Sequence, residues 1–418
     1  MGFLAEHEEV AGVRCLRFMT RARCFIGVGL SALLTLSAVG RAIAADTSLE
    51  KRLASATVLQ EFNTEGAHIR QVLGAQNLAV LELWKSDSTI VAAYDLNAKQ
   101  RFRIAGKHLG PVSVSEDGST LVVAQQVAPE AWMYKVFDSS GALRFEIHRS
   151  AFLLPSPSGK YFCNLYDDIS KERPTIYDRD GREIRRLEYP RLFWNCRFLD
   201  DERLIVANRD TAWFVATASG EVTRVVPLPL NLPYYYDYPS IRVSRSNSAV
   251  AIYSERTLVL LSTDGDLLWH ESYGYFLSAV AFDDRGAWMA LHLMEPKVSG
   301  YVEVVSVDNP KRTVTSPPIA SLADYYHRGF EVIWFSQGVI SIWQPSLALV
   351  NALQSDAEYF TLFMEFNADS VSVGQPVVKR GLYWDLGDQG KQTRYLCAQG
   401  DSGVVLLSVE ANTQEAKK

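Results

Sequence analysis

The stretch FLLPSPSGKYFCNLY, residues 152–166, contains a short apolar strand, a polar turn with Gly159, and a second strand in which apolar and polar residues alternate. IYDRDGREIRRL, residues 176–187, repeats this arrangement around Gly181. Short alternating runs bounded by Gly, Asp, Asn or Ser are typical of β-strands joined by tight turns. Glycine is favoured there because it reaches positive φ without steric cost. Residues 152–187 are therefore predicted to form four antiparallel strands.

Both turn signals recur along the chain with a period of about forty residues. The first signal has turn positions separated by 41, 43, 45 and 39 residues, at Gly118, Gly159, Glu202, Asn247 and Gly286. The second signal has glycines separated by 40, 39 and 45 residues, at Gly141, Gly181, Gly220 and Gly265. Two interleaved signals on one period indicate four strands per repeat, which is the sequence signature of a β-propeller.

The expected architecture is an all-β fold, a β-propeller of seven four-stranded blades. One four-stranded sheet cannot bury both of its apolar faces alone, whereas blades packed around an axis bury them all. Residues 68–356 are assigned to the blades, which are predicted to begin near residues 68, 111, 152, 193, 240, 278 and 330. Residues 45–67 form a lead-in segment with a predicted short helix at 48–60. Residues 357–418 are strand-like and either close the propeller or form a small separate β-domain.

Three turns carry a family resemblance. SPSGKYF and SEDGSTL resemble the repeat turns of the WD40-like bacterial propellers, including TolB-like proteins, and STDGDLLWHE resembles a quinoprotein-type repeat. The resemblance covers residues 68–344 and implies a fold rather than an activity. The quinoprotein tryptophan, four residues after the turn glycine, is present only as Trp269. The equivalent positions hold Phe145, Arg185 and Arg224, so the resemblance gives no support for a bound quinone.

Residues 1–44 have the character of an export signal. Four arginines precede the apolar run CFIGVGLSALLTLSAVG, and small residues follow at Ala42 and Ala44. This pattern predicts an N-terminal signal helix that is cleaved before Ala45. The alternative is a retained membrane anchor, because the run of 17 residues is borderline for spanning a bilayer. We expect a periplasmic or secreted protein, associated with a membrane only if the N-terminal helix is kept.

Composition excludes some functions and leaves one pairing of cysteines open. The net charge of −6 over 418 residues argues against nucleic acid as a partner. After residue 45, the cysteines are Cys163, Cys196 and Cys397. Cys163 and Cys196 are the candidate disulfide, because both are predicted to lie on neighbouring strands, and three buried thiols are the alternative. The histidines are too far apart in sequence to form a local metal pair, so neither a metal nor another cofactor is expected.

The predicted binding site lies on one face of the propeller. Blade-to-blade connections share a face with the loops between second and third strands, and the two turn signals lie on the opposite face. The connections are rich in aromatic residues and arginine, the types that dominate binding hot spots. The candidate partner-binding residues are Tyr189, Arg191, Trp194, Tyr234, Tyr235, Tyr236, Tyr238, Tyr273, Tyr275, Tyr325, Tyr326, His327 and Arg328. The alternative is that these aromatic side chains pack between blades.

These observations favour a non-enzymatic propeller that binds a protein or peptide partner in the cell envelope, with a glycan as the second class of ligand. The alternative is a hydrolase or lyase that acts on a small-molecule or polysaccharide substrate in the central channel. One short segment, GDSG at residues 400–403, resembles the nucleophile segment of trypsin-like proteases. Val404 stands where that family has another glycine, and only 16 residues follow Ser402. We interpret the motif as a turn between two strands, and no catalytic residue is proposed.

Overall fold

A computed structural model describes residues 49–410 with gaps, the longest at 165–172, 188–194, 230–238, 320–331 and 346–358. The shorter gaps are 63, 65–66, 76–77, 86–87, 96, 98, 129–130, 150–151, 209, 245, 247, 255, 296–298, 337, 381, 390–391 and 399–402. The predicted signal helix lies outside the described residues. Within the part of the chain that is described, no helix has the length and apolar character needed to cross a membrane.

The fold is an all-β propeller, but it has eight blades rather than the predicted seven. Helix α1 covers residues 49–54, and strand β1 covers Thr57–Phe62. Blade 1 consists of β2 (His68–Ala75), β3 (Leu78–Lys85), β4 (Ser88–Tyr94) and β5 (Gln100–Gly106). Blade 2 consists of β6 (Leu109–Val114), β7 (Thr120–Ala128), β8 (Ala131–Asp138) and β9 (Leu143–Arg149). Blade 3 consists of β10 (Leu153–Pro155), β11 (Tyr161–Asn164), β12 (Thr175–Asp178) and β13 (Glu183–Arg186).

The next three blades have the same order of four antiparallel strands. Blade 4 consists of β14 (Asn195–Phe198), β15 (Arg203–Ala207), β16 (Thr211–Ala216) and β17 (Glu221–Pro227). Blade 5 consists of β18 (Ser240–Val243), β19 (Ala249–Ser254), β20 (Thr257–Ser262) and β21 (Leu267–Ser272). Blade 6 consists of β22 (Phe276–Phe282), β23 (Trp288–Glu295), β24 (Ser299–Ser306) and β25 (Thr313–Thr315). These six blades begin where the repeat predicts them.

Blades 7 and 8 use the strands for which the sequence repeat decays. Blade 7 consists of β26 (Val332–Ser336), β27 (Val339–Pro345), β28 (Tyr359–Asn367), β29 (Ser372–Val373) and β30 (Val377–Arg380), and the last two both pair with β28. Blade 8 takes β31 (Leu382–Gln389), β32 (Gln392–Ala398) and β33 (Val404–Glu410) from the C-terminal part of the chain. Its fourth strand is β1, which pairs antiparallel with β33 from Thr57↔Ser408 to Phe62↔Val404.

The two ends of the described chain therefore share one sheet, and this sharing closes the ring. Closure leaves no blade without neighbours, which avoids an exposed apolar sheet face. The helix predicted at 48–60 is shorter than expected, and the strand β1 replaces its second half. Leu49 of α1 is buried with Phe363 of blade 7, and the Arg52 guanidinium lies 2.8 Å from the Glu365 carboxylate.

The hydrophobic core is divided into eight clusters, one at each junction between neighbouring blades. Alternate residues of a strand contribute to different clusters, because successive side chains point to opposite faces of a sheet. In β7, Leu121 and Val123 pack towards blade 1, and Val122 packs towards blade 3. The first strands contact those of neighbouring blades, as β2 contacts β6 and β31, so the first strand of each blade is the inner one.

The turn glycines mark where each blade touches the preceding one. Gly141, Gly181, Gly220 and Gly265 all have positive φ, which a side chain rarely tolerates. An added Cβ at Gly181 would lie 2.5 Å from the ring of Phe145, and one at Gly220 would lie 2.4 Å from Arg185. The position four residues after a turn glycine thus packs on the turn glycine of the next blade. An aromatic ring or an extended arginine side chain fits there, which explains why tryptophan is not required.

Candidate functional site

The propeller has two chemically different faces. The connections from first to second strand and from third to fourth strand lie on one face, which we call the turn face. The connections from second to third strand and from blade to blade lie on the opposite face, which we call the loop face. This division follows from the antiparallel order of every blade and agrees with the face that the sequence assigned to each group.

Polar groups of the turn face are largely used in internal hydrogen bonds. The Oδ1 atom of Asp138 accepts hydrogen bonds from the backbone N–H groups of Ser140 at 2.9 Å and Ala142 at 3.0 Å. A further hydrogen bond from the Ser140 hydroxyl is the main cause of the lowered pKa of Asp138. Short Asp and Ser side chains stabilise turns in this manner.

Asp201 extends these hydrogen bonds from one blade to the next. Its Oδ1 atom accepts hydrogen bonds from the Ser156 hydroxyl at 2.7 Å and the Ser158 backbone N–H at 3.1 Å, both in blade 3. Burial raises the pKa of Asp201, but the hydrogen bonds from Ser158 and Ser156 outweigh burial and lower the pKa overall. The turn face is thus held together by its own polar groups, which leaves the loop face as the better candidate for binding a partner.

The loop face exposes large apolar side chains at the described ends of its strands. The exposed fractions are 51% for Trp84, 48% for Val127, 58% for Phe152 and 36% for Tyr275. Trp84 and Val127 precede loops between second and third strands, and Phe152 and Tyr275 lie in blade-to-blade connections. Within the described residues, the other exposed large apolar side chains all lie on outermost strands, at Val58, Leu59, Leu143, Val222, Val225, Leu267 and Leu268.

Two of the predicted binding residues are described by the structure, and they differ in role. Tyr275 is exposed, and its ring meets that of Tyr301 edge to face with the ring centres 5.1 Å apart. Tyr273 is partly buried in the cluster between blades 5 and 6. Burial, followed by the nearby carboxylate of Glu303, raises the pKa of Tyr273. Tyr275 is therefore available to a partner, whereas Tyr273 contributes chiefly to packing.

The other predicted binding residues lie outside the described residues, in the gaps 188–194, 230–238 and 320–331. They are Tyr189, Arg191, Trp194, Tyr234, Tyr235, Tyr236, Tyr238, Tyr325, Tyr326, His327 and Arg328. The strands that flank these gaps end at the loop face. Their assignment to a binding surface stays a prediction.

Sequence reasoning missed three residues of the loop face, namely Trp84, Val127 and Phe152. Each lies at a strand end or next to one. Trp84 immediately precedes Lys85 and a polar turn, as the sequence LELWKSDS shows. A large aromatic residue next to a turn is a usable signal of exposure.

Blade 6 contains a serine and histidine pair that the sequence did not indicate. The Ser278 hydroxyl lies 2.7 Å from Nδ1 of His292 on the neighbouring strand, and His292 is completely buried. Gly300 makes room for the imidazole, since an added Cβ there would lie 3.1 Å from Nε2. A general base must reach its substrate, so this buried pair is better explained as a polar contact within the sheet.

The structure brings together the two cysteines of the candidate disulfide. The Sγ atoms of Cys163 in β11 and Cys196 in β14 are 3.3 Å apart, and both residues are buried at the junction of blades 3 and 4. They are present as thiols. The hydrogen bond with Cys196, together with burial, raises the pKa of Cys163. The proximity agrees with the expected neighbouring strands, and the bond itself stays a prediction.

Comparisons with known proteins connect the chain to a fold. No family profile matches the sequence, and no curated protein matches it.

The solved structure of BamB from Moraxella catarrhalis is similar with a TM-score of 0.52 and 12% identity, over 85% of this chain and 99% of that one. Hsv2 from Kluyveromyces lactis has a TM-score of 0.48 and 13% identity over 78% of this chain and 98% of that one. The WD40 domain of SCAP from fission yeast has a TM-score of 0.49 and 8% identity over 85% of this chain and 98% of that one. At these identities the similarity concerns the fold, so the chain is a β-propeller that shares its architecture with the bacterial propeller BamB.

Proposed function

We propose that this protein is a non-catalytic binding propeller that holds a protein or peptide partner on its loop face. The observation that carries the proposal is the exposure of Trp84, Phe152 and Tyr275 on that face, beside connections whose sequences are aromatic. Scattered exposed apolar residues are ordinary on any protein. A set that shares one face with tyrosine-rich connections is instead the composition of an interaction surface.

A polypeptide is preferred to a glycan as the ligand class. Phe152 offers apolar surface without a polar group, and aromatic side chains such as phenylalanine are enriched at protein interfaces. Tyrosine and tryptophan also stack on sugar rings, so a glycan is the second class of ligand. The channel-based enzyme is the alternative function, and the predominance of exposed apolar residues at the loop face does not favour it.

Site-specific photo-crosslinking from the loop face tests the proposal. A photoreactive amino acid is placed at position 84, 152 or 275 of the full chain, expressed in its own cells. Matched control positions are Val225 and Leu268, which are exposed on outermost strands. We expect one crosslinked partner shared by the three loop-face positions and absent from the two controls.

The identified partner is then purified, and its affinity is measured for wild type and for the triple variant Trp84→Ala, Phe152→Ala and Tyr275→Ala. Hot-spot residues typically contribute about 2 kcal/mol or more each, so the triple variant is expected to bind at least about 100-fold more weakly. The double variant Val225→Ala and Leu268→Ala is the control and keeps wild-type affinity. Equal crosslinking from outermost strands, or unchanged affinity of the triple variant, contradicts the proposal.

A second arm addresses the predicted tyrosine cluster and the cellular location. A further variant changes Tyr234, Tyr235, Tyr236 and Tyr238 to Ala. It is expected to bind the same partner more weakly while the propeller stays folded. We further propose that the protein is exported and cleaved before Ala45. The mass of the protein isolated from its native cells gives the mature N-terminus. A retained segment 1–44 contradicts cleavage and favours the anchored form.

A further inference from the structure

The inner strands of blades 4 and 5 carry an arginine at the same structural position. Arg197 and Arg242 are each the third residue of a four-residue inner strand. The residues before them, Cys196 and Ile241, are buried against the preceding blade. Because side chains alternate along a strand, both arginines face the following blade, next to the central axis.

Arg197 is in contact with solvent although protein atoms surround it. The residue is exposed to solvent. Burial by the protein atoms around it lowers the pKa of its guanidinium to about 10, and the charge of Arg242 is the second cause of that lowering. Solvent that reaches a side chain surrounded by protein is the situation of a channel wall. The group is still charged at neutral pH, because its pKa stays well above 7.

These two arginines lack the carboxylate partners that other arginines of the chain possess. In the described part of the chain, neither one forms an ion pair, and the hydrogen bond of Arg242 is a long one of 3.4 Å to the Ile241 carbonyl. By contrast, Arg203 lies 2.9 Å from the carboxylate of Asp200, and Arg224 lies 2.7 Å from that of Asp266.

The nearest acidic influence on Arg197 is weak. Glu116 favours the charged guanidinium, but it is the smallest of the named contributions and lies in an exposed turn of blade 2. Asp385 and Asp388 lie on β31, the inner strand of blade 8, four blades away around the ring. An enclosed cation beside a second cation lowers the stability of the fold unless an anion joins them.

We propose that Arg197 and Arg242 form an anion-binding site at the end of the central channel nearest the turn face. Each residue is the last but one of an inner strand that leads into the turn from first to second strand, so both lie towards the turn-face end of the channel. The ligand is a small doubly charged oxyanion, a phosphate or dicarboxylate, because planar guanidinium groups bind such oxygen pairs in a bidentate manner. The site is independent of the loop face, and either proposal can fail without the other.

Thermal unfolding in phosphate tests the site directly. The full chain is unfolded in sodium phosphate and, separately, in sodium chloride of equal ionic strength, with sodium succinate as the dicarboxylate arm. A specific site gives a Tm that keeps rising with the logarithm of the oxyanion concentration above the Kd, and at 100 times the Kd the ratio of folded to unfolded protein increases about 100-fold. Arg197→Gln and Arg242→Gln are each expected to abolish that rise.

A matched control variant and the unfolding temperature in chloride buffer separate anion binding from a structural role of the arginines. Arg285→Gln removes one exposed charge from a turn of blade 6 and is expected to keep the full phosphate effect. In dilute chloride buffer, Arg197→Gln should unfold at the same temperature as wild type or a higher one, because a repulsion is removed. If either glutamine variant does not fold, the corresponding lysine variant replaces it, and calorimetric titration should give phosphate binding at least tenfold weaker than wild type.

Three outcomes overturn the proposal. The first is a wild-type protein for which phosphate, succinate and chloride act alike at equal ionic strength. The second is an oxyanion effect that survives in both glutamine variants, which places the anion elsewhere. The third is a loss of stability in Arg197→Gln and Arg242→Gln in chloride with no titratable phosphate binding in wild type, which assigns the arginines to the fold.

Discussion

Gly181→Ala should destabilise the junction of blades 2 and 3 by an amount that the structure defines. Gly181 has φ +79, and an added Cβ would lie 2.5 Å from Cδ2 and 2.6 Å from Cγ of Phe145. The left-handed backbone costs a non-glycine residue about 1–2 kcal/mol, and overpacking adds about 1–3 kcal/mol. The stiffer unfolded chain offsets about 0.4–1 kcal/mol. The free energy of unfolding should therefore fall by about 1–5 kcal/mol.

Two other glycines separate the backbone contribution from the steric one. Gly403 has φ +116 and no atom within 4 Å of an added Cβ, so Gly403→Ala should cost about 1–2 kcal/mol from backbone strain alone. Gly274 is open and has no positive φ, so Gly274→Ala should change stability by less than about 0.5 kcal/mol. Guanidinium unfolding followed by circular dichroism measures all three variants, provided that the m-values agree.

A double-mutant cycle with Phe145→Ala completes the experiment. Removing the ring leaves the Phe145 Cβ as the nearest atom, at 3.1 Å from the added methyl group. The Gly181→Ala change should then cost about 1–2 kcal/mol less than in the wild-type background. Equal costs for Gly181→Ala and Gly403→Ala, or strict additivity in the cycle, would refute the claim that the turn glycine is required by packing between blades.

Three further predictions concern ring closure, oxidation and acid. Phe62→Ala in β1 should lower the free energy of unfolding by about 3–5 kcal/mol, because Phe62 is buried against blade 1; Leu59→Ala on the same strand, 40% exposed, should cost less than about 0.5 kcal/mol. Oxidation of Cys163 and Cys196, 33 positions apart in sequence, should raise the free energy of unfolding by about 4 kcal/mol. Peptide mapping without reductant tests whether the bond forms, and thermal melting with and without reductant tests its effect on stability. The pKa of Asp201 is lower in the folded state than in the unfolded chain. The stability that the Asp201 carboxylate contributes is therefore present above the unfolded pKa and is lost as the pH falls through the folded pKa. When the pH falls below about 4, the free energy of unfolding should decrease less for Asp201→Asn than for wild type.

The repeat predicted blades 1 to 6 because each is built from residues that are close in sequence. Blade 8 escaped the count for a physical reason: its outer strand, Thr57–Phe62, is separated from its partner strand by most of the chain. A period of about forty residues cannot reveal a pairing at that separation. Blade 7 was recognised only in part, because its fourth strand is divided into β29 and β30.

The sequence assigned the candidate residues to one face, and the structure describes two of them, Tyr273 and Tyr275. The order of strands and turns assigns every loop to a face, so the aromatic connections could be placed together from sequence. Whether a given tyrosine points outward depends on its neighbours in space. Tyr273 and Tyr275 are two positions apart, and one packs between blades while the other is exposed. The arginine pair was not predicted because Arg197 and Arg242 are far apart in sequence and come to lie on neighbouring inner strands only when two blades are set side by side.

The pairing of β1 with β33 also determines how the protein responds to pulling. Thr57 pairs with Ser408, so both ends of the chain leave the sheet at the same end of this strand pair, the one nearest the turn face. Tension between the ends would peel the two strands apart one residue pair at a time instead of shearing all their hydrogen bonds together. Blade 8 is thus the mechanical opening point of the ring.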